Sequence, residues 1–294
     1  MNSTTAEADA AYCLDQVRRF DRDRYLTALF VAPQARADLM ALYAFNLEVA
    51  KTREMVREPM MGLVRLQWWR DCIAEIYTGS ERRHQVAQPL AAAVRRHRLS
   101  REHFDRLIDA REQDMSPEPP VDLPALVAYT DATAGNLGLL AVEVLDGRGT
   151  RPPGACPDVA LAPAASGVWT AHALTGLLRA VPHHARQHRI YLPQSLLTEH
   201  QVAPRELLDL RSRPGLAAVA RGIAEEAERL LDESGRIVAR PPKPLLPAFL
   251  PATLAHAYLR QLRRAGYDLF DSRLQELPPG RIWRLLFASL RGRV

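Results

Sequence analysis

The chain has 294 residues, 47% of them hydrophobic, which is enough for a full buried core. Its net charge is +5, and arginine carries the positive charge because lysine occurs only at Lys51 and Lys243. The three cysteines, Cys13, Cys72 and Cys156, are too widely separated for a metal-ligand spacing or a disulfide framework, so they favour a reducing compartment. The sequence has no helix-turn-helix, zinc, RNA-binding, Walker or dinucleotide-binding pattern, and we expect no nucleic-acid partner.

The first residues, MNSTTAEADAAYCLDQ, are polar and slightly acidic. They lack the apolar core of a signal peptide and the arginine-rich character of a transit peptide. No apolar run approaches the roughly 20 residues that a membrane-spanning helix needs. We therefore expect a cytoplasmic protein, with any membrane contact peripheral and at the inner face.

Helical periodicity dominates the chain. The segment PQARADLMALYAFNLEVAKTREMVRE begins at Pro33, a residue favoured in the first helical turn, and repeats apolar residues every three or four positions. Further helices are predicted at 59–79, 88–98, 100–115, 123–146, 158–184, 203–211, 214–239, 244–265 and 280–292.

Strand-like alternation is scarce, and RIYLP at 189–193 is the nearest case. Proline clusters at 116–124, 151–163 and 240–251 mark loops or helix boundaries. The pattern predicts one all-α domain over residues 1–294, built from about ten helices.

Three motifs resemble those of the squalene/phytoene synthase family: ALYAFNLEVAKTREMV, YTDATAGNLGLLAVEVL and LTGLLRAVPHHARQHRIYLPQSLL. RLQWWRDCI and AGYDLFDSR fit the same family, so the resemblance covers almost the whole chain. It implies the isoprenoid synthase helical bundle with a central cavity. Active members of the family join two prenyl diphosphates, which magnesium ions hold between two acidic motifs on facing helices.

The chain departs from the family at those acidic motifs. The six positions that carry acids in active members hold Ala50, Lys51, Glu54, Ala180, His183 and His184. Only Glu54 keeps a carboxylate; alanine offers no ligand, histidine is a poor magnesium ligand, and Lys51 would repel the ion. The resemblance therefore implies no catalytic residue and no metal or other cofactor, with magnesium expected only if the chain is active after all.

Residues around the lost motifs stand at family positions and are candidates for binding a prenyl diphosphate, an isoprenoid lipid or another anion. The candidates are Lys51, Arg179, Arg189, Tyr191, Tyr43 and Asp131. One hypothesis is that the three cations converge on the old cavity and hold an anion directly. The alternative is an internal salt bridge from Lys51 to Glu54 or Asp131.

The histidines of the second motif have two interpretations. Together with His172 and His188, they could bind a transition metal. Because His183 and His184 are adjacent on a helix and point in different directions, we interpret them instead as polar residues near a helix end.

One branch of the family is especially similar. Assembly factors of mitochondrial respiratory complex I include a phytoene-synthase-like branch that has also lost its acidic motifs and has an Arg-x-Val-Pro-x-His segment, here Arg179 to His184. This resemblance implies a non-catalytic protein that acts by binding in complex I assembly, with a complex I subunit as partner. Two alternatives stay open: an isoprenoid lipid carrier, and an active prenyl transferase. The transferase would use displaced acids at Glu48, Glu54, Asp114 and Asp131.

The last segment, GRIWRLLFASLRGRV, places bulky apolar residues among four arginines. A basic amphipathic helix of this kind can lie on an anionic membrane. The alternative is a C-terminal helix that docks on the bundle.

Overall fold

The computed structural model describes residues 3–80, 82–147, 161–208, 214–276 and 278–293. Within these ranges the chain forms helices and no strand, which confirms the all-α prediction. The helices of the first half are α1 (Ser3–Phe20), α2 (Arg22–Ala28), α3 (Pro33–Ala50), α4 (Pro59–Thr78), α5 (Ala87–His97), α6 (Arg101–Ala110), α7 (Leu123–Thr130) and α8 (Asn136–Leu145). Those of the second half are α9 (Leu161–Arg186), α10 (Gln194–Glu199), α11 (Pro204–Leu208), α12 (Pro214–Ile237), α13 (Leu246–Phe249), α14 (Pro251–Arg264) and α15 (Arg281–Arg291).

Most predicted helices are confirmed to within a few residues, but α1, α2 and α10 were not predicted. The buried face of α1 is formed by Asp9, Cys13 and Val17, which are four residues apart. Only one of these three is strongly apolar, so the helical period was hidden in the sequence. The segment RIYLP is an extended connection without a strand partner. The predicted ends at 158–160 and 209–211 lie outside the described residues.

Two long helices carry the core. Helix α9 lies against α8, α12 and α14, and α3 lies against α1, α5 and α8. Aromatic rings join the helices edge to face: the ring of Phe45 lies 5.2 Å from that of Trp69 and 5.4 Å from that of Phe104. Such pairs add about 0.5–1.5 kcal/mol each beyond the area they bury.

A π-helical turn, Asp131–Gly135, connects α7 to α8. Gly138, just after it, lies close against α9, because a Cβ there would collide with the ring of Trp169. Glycine is required at this position by space, since its backbone is an ordinary helix.

The segment Leu123–Leu145 corrects the expectation that no apolar run reaches membrane-spanning length. It has 23 residues with a mean hydropathy of 1.2, enough by length and composition to cross a bilayer. However, 67% of its apolar window is buried inside the fold. The core of the bundle accounts for its hydrophobicity.

Candidate functional site

The two degenerate motifs still face each other. The first lies at the end of α3 and in the following turn, and the second in the last turns of α9. Glu54 Oε1 lies 3.7 Å from His183 Nε2, and both side chains are about half exposed, at 48% and 58%. The side-chain amide nitrogen of Gln187 lies 3.0 Å from the same histidine nitrogen. The family geometry of facing helix ends is thus retained, with an acid–histidine pair between them.

Each of the three candidate cations lies over an aromatic ring of its own. They are Lys51 over Phe20 at 3.0 Å, Arg179 over Tyr258 at 3.7 Å and Arg189 over Tyr191 at 5.2 Å, measured to the ring centroids. Cations are attracted to ring faces, and the three rings belong to different parts of the bundle. Each cation thus has its own aromatic partner, and the hypothesis that the three converge on one anion site stays a prediction.

Lys51 also forms neither of the predicted salt bridges in the described part of the chain. Burial lowers its pKa, and the charges of Glu48 and Glu54 oppose that shift. Asp131 instead accepts hydrogen bonds from two hydroxyls of α9, those of Ser166 and, at 3.3 Å, Thr170. Lys51 is thus held by an aromatic face at the surface of the bundle.

Two of the displaced acids, Asp131 and Glu54, are far apart. Asp131 contacts Thr170, whereas Glu54 contacts His183, thirteen residues later on α9. At 1.5 Å per residue these two contact points are about 20 Å apart. Asp131 and Glu54 cannot share a metal ion across that separation.

Asp114 lies in a buried hydrogen-bond network. Its side chain accepts hydrogen bonds from the hydroxyls of Tyr129, at 2.8 Å, and Tyr191, at 3.0 Å. Arg111 donates to the same carboxylate at 3.2 Å and to Tyr129 at 2.8 Å. Burial raises the pKa of both tyrosines, and the negative charge of Asp114 adds to the rise, so both hydroxyls stay protonated and donate. The Asp114 carboxylate is therefore occupied by three donors.

His184 packs behind the motif, away from His183. Its ring centroid lies 4.7 Å from that of Tyr191 and 5.8 Å from that of His183. Burial, together with the charges of His183 and Arg189, lowers the pKa of His184 to about 4. It is therefore a neutral, partly buried ring at neutral pH.

Asp23 on α2 is the centre of a second polar cluster that sequence reasoning missed. Tyr258 donates a hydrogen bond to it at 2.7 Å, and His172 and Arg281 lie 3.6 and 3.3 Å from its oxygens. Burial raises the pKa of Asp23, but the hydrogen bonds from His172 and Tyr258 and the charge of Arg179 outweigh it and lower the pKa to about 2. In the sequence, Asp23 lies in the charged run RRFDRDR, which gives no sign of burial.

Aromatic side chains fill the interior beside this cluster. Tyr43, one of the candidate ligand-binding residues, is 2% exposed, and its ring lies 5.9 Å from that of Trp169. Trp169 donates from Nε1 to the carbonyl of Ala248 at 2.7 Å, which fixes its ring between α9 and α13. This part of the predicted central cavity is packed.

The side chains present do not suit the magnesium ions that the fold family implies. Magnesium requires near-octahedral oxygen ligands, and the two motifs supply a single carboxylate, already beside a histidine. In the described ranges, no group of three or more histidine, cysteine or acidic side chains is arranged to hold a metal ion. The motif region instead offers hydrogen-bonding and cation–aromatic contacts at a surface.

Comparisons with known proteins agree with this architecture. The sequence model described as Squalene/phytoene synthase matches residues 17–281. The chain is 29% identical over 265 residues to NADH dehydrogenase (ubiquinone) complex I, assembly factor 6, of Rattus norvegicus, covering 90% of this chain and 77% of that protein.

Two solved structures confirm the predicted isoprenoid synthase fold. A dehydrosqualene synthase in complex with ligand superposes with a TM-score of 0.81 at 20% identity, covering 97% of this chain and 96% of that chain. The squalene synthase HpnC from Alicyclobacillus acidocaldarius superposes with a TM-score of 0.76 at 20% identity, covering 90% and 97%.

Proposed function

The chain belongs to the squalene/phytoene synthase family, and we propose that it is a non-catalytic member that acts by binding in the assembly of respiratory complex I. Its partner is a complex I subunit, and it works in the cytoplasm at the inner face of the membrane. The assembly role is supported by relatives named complex I assembly factor 6.

The contact between Glu54 and His183 carries the non-catalytic part of the proposal. Ionising an allylic diphosphate requires that its leaving charge be neutralised, which active members of the family do with magnesium ions. Here the facing helix ends meet through one carboxylate and one histidine, with the cation of Lys51 close by. The groups that would hold the metal are missing from the place where it would sit.

The transferase alternative depends on displaced acids, and their positions count against it. Glu54 and Asp131 contact α9 at points about 20 Å apart. Asp114 is held by tyrosine and arginine donors, and Glu48 lies 3.4 Å from Arg65. These separate partners count against a metal site shared by the four carboxylates.

The lipid-carrier alternative needs an open apolar cavity large enough for an isoprenoid chain. Tyr43 and Trp169 fill the interior between α3 and α9, where such a cavity is expected in this fold. The packing of these two rings counts against carriage of a lipid at this place in the bundle.

The enzymatic part is tested by incubating the purified chain with farnesyl or geranylgeranyl diphosphate and magnesium. We expect no condensation product. A product that forms with the purified chain and disappears when the metal is chelated would overturn the non-catalytic proposal.

The cellular part is tested by deleting the gene in its own host and measuring assembled complex I on native gels. We expect less complex, restored by the wild-type chain and equally by a Glu54→Gln variant, because that carboxylate has no catalytic task in the proposal. Normal complex I in the deletion strain would contradict the assembly role.

A further inference from the structure

Helix α15 is fixed to the bundle by one face only. Leu285 is 1% exposed and packs in a small apolar cluster with Leu254 and Tyr258 of α14 and with Leu26 of α2. At the start of the helix, Arg281 points inward to Asp23, at 3.3 Å. These contacts set the rotation of the helix and therefore decide which residues face outward.

The outward face of α15 is apolar and bulky. Ile282, Trp283, Phe287 and Leu290 are 57%, 64%, 55% and 74% exposed. At 100° per residue, Trp283 and Leu290 lie on the side of the helix opposite Arg281 and Leu285. A helix docked on a soluble bundle normally presents polar residues there, so this ridge is a surface that remains to be covered.

Unpaired arginines border the ridge. A cavity of about 500 Å³ between α14 and α15 is lined by Arg260, Arg284, Arg291 and Arg293, with His256 at its base. In the part of the chain that the structure describes, none of these four guanidinium groups forms an ion pair or a side-chain hydrogen bond. Burial and the charges of Arg284 and Arg264 lower the pKa of Arg260, while Asp232 and Glu228 act on the neighbouring His256.

The sequence contributes no counter-charge from this end of the chain. Residues 277–294 contain four arginines and no aspartate or glutamate. A guanidinium pairs with phosphate through two parallel hydrogen bonds, and tryptophan is favoured at the boundary between headgroups and acyl chains. The face thus combines an apolar ridge with an anion-binding rim.

We propose that α15 docks on an anionic lipid bilayer, with the ridge in the headgroup–acyl boundary and a lipid phosphate held by the arginines of the α14–α15 cavity. A convex ridge of mixed aromatic and aliphatic side chains suits a deformable bilayer, whereas a protein partner would need a matching groove. This inference deepens the proposed membrane location and rests on it, but it is independent of the assembly role.

Flotation of the full chain with vesicles tests the proposal. We expect binding to vesicles containing phosphatidylglycerol, little binding to pure phosphatidylcholine vesicles, and weakening as salt is added. An arginine near a membrane surface contributes about fivefold to the binding constant, so Arg284→Glu with Arg291→Glu should reduce binding by at least about 25-fold. The control, Arg18→Glu with Arg19→Glu at two exposed side chains of α1, changes net charge equally and should keep most of the binding.

Quenching by brominated acyl chains reports whether the ridge enters the bilayer. Both chains carry Trp68→Phe, because Trp68 is only partly buried. In this background the chain with Trp283 should be quenched, and Trp283→Phe should still float with vesicles while losing most of the quenching, since Trp69 and Trp169 are buried. Unchanged quenching in Trp283→Phe, or equal binding to neutral vesicles, would overturn the proposal. Binding of inorganic phosphate without any binding to vesicles would indicate a site for a soluble anion. Self-association of the chain without any binding to vesicles would indicate a protein interface. Either result contradicts the proposal.

Discussion

Glu54 and His183 meet at 3.7 Å across the ends of α3 and α9, at the place where active members of the family hold magnesium between carboxylates. The two helix ends face each other as in the family, but Glu54 lies beside a histidine and Lys51 stacks on the ring of Phe20. A metal site should therefore be rebuilt by changing side chains alone.

Restoring acids should create magnesium binding. In the triple variant Lys51→Asp, Ala180→Asp and His183→Glu, four carboxylates including Glu54 face one another. Magnesium at ten times its dissociation constant should then stabilise the fold by about 1.4 kcal/mol, read as a rise in melting temperature. Lys51→Ala, Ala180→Ser and His183→Gln provides the neutral control. An equal magnesium shift in the wild-type chain would show that the site was never lost.

The Glu54–His183 pair itself should contribute little to stability. Both side chains are about half exposed, and exposed ion pairs are worth about 0–1 kcal/mol. We expect Glu54→Gln to change the free energy of unfolding by less than about 0.5 kcal/mol in urea titrations. A loss above about 1.5 kcal/mol would mean that the pair is a structural bridge.

The hydrogen bond from Tyr191 to Asp114 should contribute more to stability than the Glu54–His183 pair does. Tyr191→Phe removes one of the donors to a nearly buried carboxylate, which should cost about 1–3 kcal/mol of unfolding free energy. Tyr25→Phe is the matched control, because the Tyr25 ring only packs against the core and its change should cost under about 0.5 kcal/mol. Equal effects of the two changes would contradict the importance of the Asp114 network.

His184 should make stability depend on pH. Its pKa is about 4 in the folded chain and close to 6.5 when unfolded, so between these values the unfolded state binds the extra proton. The contribution of the neutral His184 ring to the free energy of unfolding is fully present above pH 6.5. It is lost as the pH falls toward 4, which lowers the free energy of unfolding by up to about 3 kcal/mol. Urea titrations from pH 7 to pH 4 measure it.

The neighbouring histidine provides the control for this effect. His184→Gln should reduce the decline in stability between pH 6.5 and pH 4, whereas His183→Gln, at an exposed ring, should leave it in place. Part of the decline should remain, because burial also lowers the pKa of His84 and His256. A decline of unchanged size in His184→Gln would assign the pH dependence to other groups.

Much of the fold was predictable because helices depend on local patterns. The first-turn proline and the apolar spacing of α3 are visible in the sequence, and the helix begins at Pro33 as predicted. The helix α1 was not predicted for an equally local reason. It buries an aspartate and a cysteine on its inner face, so its sequence lacks a clear apolar repeat.

The site was predictable in composition but not in arrangement. The sequence by itself determined that five of six metal positions lack a carboxylate, since this depends only on residue type. The partners of the remaining charges were decided by the tertiary structure. Asp23 meets Arg281, 258 residues later, and Lys51 meets a ring rather than an acid. Such contacts depend on how helices distant in sequence pack together, and no local pattern encodes that packing.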